Sequence, residues 1–293
     1  MKKKKNCYYD VLGPADRIYI QHFKTDGFVQ DWLHFHSKYE LSLVLSGDVE
    51  VISGRTACVS SKPHLRLHRP FEFHTANAKQ GLTYECFVFY FTAESLQSVG
   101  QSFDLRSLFR DGMTMTELDG DILECARALS SIVLLDIDDK MRGIVLAGLL
   151  SLTERSLKRS GPISCGDQLG YIGSVLEYIE SHLTENISAA ELAKRCFISE
   201  QKLCADFKSH MNETLHQYVV SARITRAAML IAKGMSPDAA SAECGFSDET
   251  HFQKTFKKRM GMTPRIFAQT VGKVLEFSED FDEKDTKVPP RHK

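Results

Sequence analysis

The spacing of apolar residues changes along this 293-residue chain and divides it into stretches of different period. From 17 to 92 the apolar residues come in short runs closed by turn signals. Residues 41–45 (LSLVL) lead into Ser46-Gly47-Asp48, residues 49–52 (VEVI) into Ser53-Gly54-Arg55, and residues 84–91 (YECFVFYF) form a further run. Short runs punctuated by glycine predict the strands of a sandwich or barrel. Over 121–135 the period becomes helical, with Ile122, Leu123, Ala126, Leu129, Val133 and Leu134 on one stripe. A second stripe over 141–157 carries Ile144, Val145, Ala147, Gly148, Leu149 and Leu152. Ser160-Gly161-Pro162 ends that helix. Everything from Tyr171 to about Gly272 reads as helix. Residues 278–293 are mostly charged, carry Pro289-Pro290, and read as a flexible tail.

The helical third contains a duplication. ISAAELAKRCFISEQKLCADFKSHMNETLHQYV, from Ile187, returns as MSPDAASAECGFSDETHFQKTFKKRMGMTPRIFA, from Met235. The offset is 48 residues up to Ser199/Ser247 and 49 from Leu203/Phe252 onward, through Phe207/Phe256, Met211/Met260 and Thr214/Thr263. Two copies of one supersecondary unit follow from a repeat this regular. Ser188 and Ser236 occupy N-cap positions, with Glu191 at capping-box spacing from the first and Pro237 at the first helical position after the second. A tight turn, with Gly245 in the second copy, leads to another capped helix, expected to start at Ser199 and Ser247. Short helix, turn and capped helix make a helix-turn-helix, whose second helix fits the major groove. The segment 215–233 would join the copies rigidly and set their reading helices about one duplex turn (~34 Å) apart.

Charge tempers this picture. The formal net charge is -1, and residues 171–272 hold twelve Lys and Arg against eleven Asp and Glu. Attraction to phosphate must therefore come from where the charges sit. The opening MKKKKNCYYD has no apolar run after it and reads as a solvated tail, not a secretory signal. The stretch 144–150 (IVLAGLL) is too short to span a bilayer. Eight scattered cysteines with no CxxC pair read as reduced thiols of a cytoplasmic protein with no membrane partner.

GFSDETHFQKTFKKRMGMTPRIF resembles the signature segment of AraC/XylS-type transcription regulators. ARITRAAMLI before it resembles their linker helix, and FKSHMNETLHQYV the end of their first unit. The resemblance implies a sequence-specific regulator, an activator, that binds an operator in double-stranded DNA as a homodimer. It also implies contact with RNA polymerase and a small-molecule effector, such as a sugar, in the N-terminal barrel. Carried over by position, the DNA-facing residues of the first unit are Gln201, Lys202, Cys204, Ala205 and Lys208. Those of the second are Glu249, Thr250, His251, Gln253 and Lys254, with Lys257 and Lys258 on phosphate. The first unit departs from the family. Ala205 stands where Arg is common, Asp206 lies beside it, and Phe197 replaces the turn glycine. The second unit is therefore expected to read more of the sequence and the first to anchor.

In the β-rich part, His34-Phe35-His36-Ser37-Lys38-Tyr39-Glu40 followed by Gly47 resembles the first motif of the cupin barrel. Alternate strand residues share a face, so His34 and His36 are expected to point together, with Glu40 and His74 able to join them. Three imidazoles and a carboxylate suit Zn, Fe, Mn or Ni. The second motif is degraded, since Pro70-Phe71-Glu72-Phe73-His74 lacks the usual glycine. Two readings stay open: a metal set, or the wall of an effector pocket together with Trp32. The pocket is preferred and no cofactor is assigned. The alternative function is a cupin metalloenzyme, an oxygenase or isomerase, carrying a DNA-binding appendage. No nucleophile triad, phosphate loop or dinucleotide motif occurs in a convincing context, so the chain is not read as an enzyme.

The expected architecture is a multidomain α+β chain. It comprises a basic tail (1–16), a cupin-like effector-sensing barrel (17–112) and a helical connector with possible dimerisation helices (113–165). An all-α, homeodomain-like double helix-turn-helix domain (166–273) and a charged tail (274–293) complete it.

Overall fold

The computed structural model describes residues 17–26, 29–30, 34–53, 56–79, 81–97, 100, 103–109, 113–163 and 169–275. Of the expected features, the basic tail, Gly54, Arg55, Trp32 and residues 276–293 lie outside the described residues. The chain divides into two compact units between Leu169 and Gly170.

The first unit contains β1 (Tyr19–Thr25), β2 (Val29–Gln30), β3 (Tyr39–Ser46), β4 (Val49–Ser53), β5 (Thr56–Ser60), β6 (His64–His68), β7 (His74–Ala78) and β8 (Tyr84–Phe91). It continues with α1 (Ala93–Gln97), α2 (Leu105–Leu108), β9 (Thr114–Glu117), α3 (Gly120–Val133) and α4 (Asp139–Ser160). The strands form two antiparallel sheets, ordered β1-β8-β3-β6-β9 and β2-β7-β4-β5. The Gly47 turn joins β3 to β4 across the sheets. Its φ of 109°, and the 3.2 Å that would separate an added Cβ from the Tyr84 backbone, exclude larger residues.

Strand alternation sorts the side chains into two cores. Leu41, Leu43 and Leu45 of β3, Leu65 and Leu67 of β6, and Phe87, Phe89 and Phe91 of β8 join Val145, Leu146, Leu149 and Leu150 of α4 in one cluster. The opposite faces supply an inner cluster that draws on both sheets, with Val44, Val49, Val51, Ala78, Tyr84, Cys86, Val88 and Tyr90. The helices expected as a separate connector are thus part of the barrel's core, and the strand segment continues past 112, because β9 pairs with β6. Gly161, at φ 74°, closes α4 where the Ser-Gly-Pro signal predicts its end. Cys86, Cys125, Cys196, Cys204 and Cys244 are free, but Cys58 is disulfide-bonded, which corrects the reading of all eight cysteines as reduced.

The second unit is helical: α5 (Tyr171–Ser181), α6 (Ala189–Arg195), α7 (Glu200–Met211), α8 (Leu215–Ala232), α9 (Pro237–Glu243), α10 (Glu249–Met260) and α11 (Pro264–Leu275). Helix α11 runs two residues into the expected tail. Ser188, Ser199 and Ser236 cap α6, α7 and α9 as their positions predict. Two local details differ. Asp248, not Ser247, caps α10, because the extra residue of the second copy falls just there. Glu191 does not close the box on Ser188; its carboxylate accepts from the Tyr178 hydroxyl at 3.4 Å.

Candidate nucleic-acid interface and barrel site

Helices α7 and α10 each bury one apolar stripe. Leu203, Phe207 and Met211 face inward on α7, and Phe252, Phe256 and Met260 on α10. The Phe207 ring meets Tyr218 of α8 edge-on at 5.4 Å, and Phe256 meets Phe267 of α11 at 5.6 Å. Anchoring these faces turns the others to water. All twelve side chains expected to meet DNA are exposed: Gln201, Lys202, Cys204, Ala205 and Lys208 on α7, and Glu249, Thr250, His251, Gln253, Lys254, Lys257 and Lys258 on α10.

Hydrogen bonds organise these edges. Asp206 accepts from Lys202 Nζ at 2.8 Å and from the Tyr171 hydroxyl. The Lys202 bond, then that of Tyr171, holds its carboxyl below the usual range. The charge expected to repel phosphate is therefore engaged within the protein, and part of the positive charge of Lys202 is spent on it. On α10, Gln253 Nε2 donates to Glu249 Oε1 at 2.8 Å.

Two residues without a role in the sequence reading bind the two copies together. Arg223, on α8, donates to the carbonyls of Leu183 and Glu185 at 2.7 Å each and of Gly245 at 3.3 Å. Arg259 leaves the basic run of α10 and pairs with Glu213, between α7 and α8, at 3.0 Å with both side chains largely buried. Sequence marks Arg259 only as one more cation beside Lys257 and Lys258, so its inward direction is invisible there. Phe197, in the turn of the first copy, holds φ 56° with its side chain 96% exposed, whereas its counterpart Gly245 is packed on Thr184.

In the barrel, His34 and His74 form an isolated antiparallel bridge. His34, His36, Glu40 and His74 are all buried, and one ligand atom from each lies within 4.8 Å of the others. His36 Nε2 is 3.1 Å and His74 Nε2 3.3 Å from Glu40 Oε2. Glu40 also accepts from Ser42 Oγ at 2.7 Å. The other ring nitrogens are committed: His36 Nδ1 to the Lys38 carbonyl and His74 Nδ1 to the Glu72 carbonyl, each at 2.8 Å. A carbonyl only accepts, so both Nδ1 atoms carry protons. Burial, then His34, pushes His74 down to about 4, leaving its ring neutral near pH 7. Its Nε2 is then a buried lone pair beside a carboxylate, with no hydrogen-bond donor. A cation is the group such a convergence lacks, and Nδ1–H bonds to backbone carbonyls are the usual support of metal-bound imidazoles. The donor set thus fits a divalent metal, and the structure brings together the four residues the sequence proposed.

Two capped helix-turn-helix copies with solvent-facing second helices define a DNA-binding protein. Residues 192–270 match the family described as a helix-turn-helix domain. The chain is 27% identical over 237 residues to the probable transcriptional regulator LumQ of Photobacterium leiognathi, covering 79% of this chain and 89% of that protein. It is 28% identical over 101 residues to the HTH-type transcriptional activator RhaS of Escherichia fergusonii, covering 33% and 36%. Among solved structures, it is similar to unsaturated fatty acid bound ToxT from Vibrio cholerae strain SCE256, with 14% identity, a TM-score of 0.38, and coverage of 86% of this chain and 95% of that one. The chain is a transcriptional regulator with a helix-turn-helix domain over residues 192–270. Among the described residues, no helix is long and apolar enough to cross a membrane.

Proposed function

We propose that α7 and α10 enter successive major grooves of one operator and that α8 sets their spacing. The supporting observation is that each second helix is anchored by three buried apolar residues and presents its polar edge to solvent. Gln201 and Cys204 on α7, and Glu249, Thr250, Gln253 and Lys254 on α10, face base edges; Lys208, Lys257 and Lys258 hold phosphates. Ala205 is too short to donate to a base, so α10 carries more of the specificity and α7 anchors.

The barrel is the control element. Its His34–His36–Glu40–His74 set holds a divalent cation, and a small-molecule effector binds beside it. The effector acts by binding one arrangement of the protein more tightly than another. The protein works in the cytoplasm as an activator, contacting RNA polymerase from a neighbouring site, and is not an enzyme. Two copies pair through the α3–α4 turn, where Leu134, Leu135, Met141 and Ile144 are exposed.

Selection of bound sequences from random duplex DNA with the full chain tests the central reading. The expected result is a site with two elements about one helical turn apart, and affinity that falls steeply with salt. Binding that does not respond to salt, or no enriched site, overturns it. Elemental analysis of untagged protein tests the cation: near-stoichiometric metal, lost in Glu40→Gln, supports it, and metal-free wild type removes it.

A further inference from the structure

Phe197 departs from the usual turn glycine, and the reading of the grooves by α7 and α10 leaves it without a task. It follows α6 as Gly245 follows α9, and the two turns close with the same bonds. Phe197 N–H donates to the Lys194 carbonyl at 3.2 Å and Ile198 N–H to that of Ala193 at 3.0 Å; Gly245 and Phe246 donate to Ala242 and Ser241 at 3.1 Å each. This closure is a Schellman motif, which takes a left-handed residue just after the helix cap. The φ angles are 56° at Phe197 and 77° at Gly245. Glycine adopts them without strain, and a bulky residue does not.

Nothing inside the second unit repays that strain. Phe197 is 96% exposed, the most exposed large apolar residue among the described residues, with Leu135 next at 66%. A ring that is costly in conformation and bare of contacts points to an occupant from outside the chain.

Its position indicates which occupant. Phe197 stands two residues before Ser199, the cap of α7, and a reading helix meets base edges with its first turn. Lys194 and Arg195, in the last turn of α6, give this end of the unit positive charge. The duplication supplies a direction. At Gly245 an added Cβ would point at Thr184, in the α5–α6 connection that leads into the first copy. With the copies one duplex turn apart on one face of the DNA, the same vector at Phe197 runs away from the second copy. It follows the duplex past the outer edge of the first copy's site. The apolar feature exposed there in the major groove is the thymine methyl, which an aromatic side chain can cover.

We propose that Phe197 reads the outer flank of the first copy's site, its ring seated on a thymine methyl just beyond the base pairs that face α7. This rests on the reading of α7 and α10 as groove helices. It gives the first copy an apolar base contact in place of the hydrogen bond that Ala205 cannot make.

Selection from random duplex DNA with full-length wild type, Phe197→Gly and Phe197→Leu tests this, followed by titration of the wild-type-selected duplex. Phe197→Gly is expected to keep both elements of the site but lose the preference for thymine at one outer edge, and to bind the selected duplex roughly tenfold more weakly. Phe197→Leu, which keeps an apolar side chain, is expected to retain most of the affinity. Replacing the edge thymine by deoxyuridine, which lacks the methyl group, is expected to weaken wild type and leave Phe197→Gly unchanged. Denaturant unfolding separates this from a folding defect, since Phe197→Gly is expected to be at least as stable as wild type. Equal affinity and an unchanged selected site in Phe197→Gly overturn the proposal while leaving the groove reading standing. So does a loss seen only as reduced cooperativity between adjacent sites, which would assign the ring to a second copy of the chain. If wild type enriches no site, the groove reading fails and this proposal with it.

Discussion

Gly245 lies against Thr184 so closely that a Cβ on the glycine would come within 2.9 Å of the Thr184 Cα and 3.0 Å of its carbonyl oxygen. Gly245 also holds φ 77°. Both faults act on Gly245→Ala: the left-handed conformation costs about 1–2 kcal/mol and the backbone clash adds a similar amount. We expect a total loss of ~2–4 kcal/mol in denaturant unfolding, with DNA affinity falling because the second copy shifts against the α5–α6 connection.

The matching turn of the first copy predicts the opposite sign. Phe197 takes positive φ with nothing packed on its ring, so Phe197→Gly is expected to stabilise the protein by up to about 1 kcal/mol. A destabilising result by the same measurement would mean that the ring has a packing partner.

Arg259 and Lys258 are neighbours with separate expected effects. Removing Arg259 strands the Glu213 carboxylate in a largely buried position, so Arg259→Ala is expected to cost ~3 kcal/mol of stability. Lys258→Ala is expected to leave stability within about 0.5 kcal/mol and to lower the salt dependence of DNA binding by about one counterion.

On the reading edge, Lys254→Ala is expected to cost more binding and specificity than Gln201→Ala, by roughly tenfold. Competition with single-base operator variants measures this. A loss confined to Gln201→Ala would reverse the ranking of the two copies.

His64 predicts an acid limit on stability. Its folded value of about 3 lies below its ordinary value near 6.5, so the unfolded chain binds the extra proton as pH falls. Stability is complete above about pH 6.5 and declines as pH drops toward 3, with about 2 kcal/mol lost at pH 5. His64→Gln is expected to flatten the stability profile between pH 7 and 5. An unchanged slope would show that His64 is not the group responsible.

What one sequence determined about this protein is local and periodic. The β3–β4 turn, the stripes of α3 and α4, the duplication, and the Ser188, Ser199 and Ser236 caps follow from residue type and spacing, because each is settled within a turn or two of backbone. The twelve exposed positions on α7 and α10 follow from the same period, once Leu203, Phe207, Phe252 and Phe256 define the inward face. Only the tertiary structure decided how distant segments meet. Arg259 turns toward Glu213, Arg223 gathers carbonyls from two loops, and His64 ends with one nitrogen satisfied and the other bare. Those outcomes depend on which groups are brought together from 22 to 46 residues away, or on which strand face closes over a ring, and spacing along the chain holds no record of either.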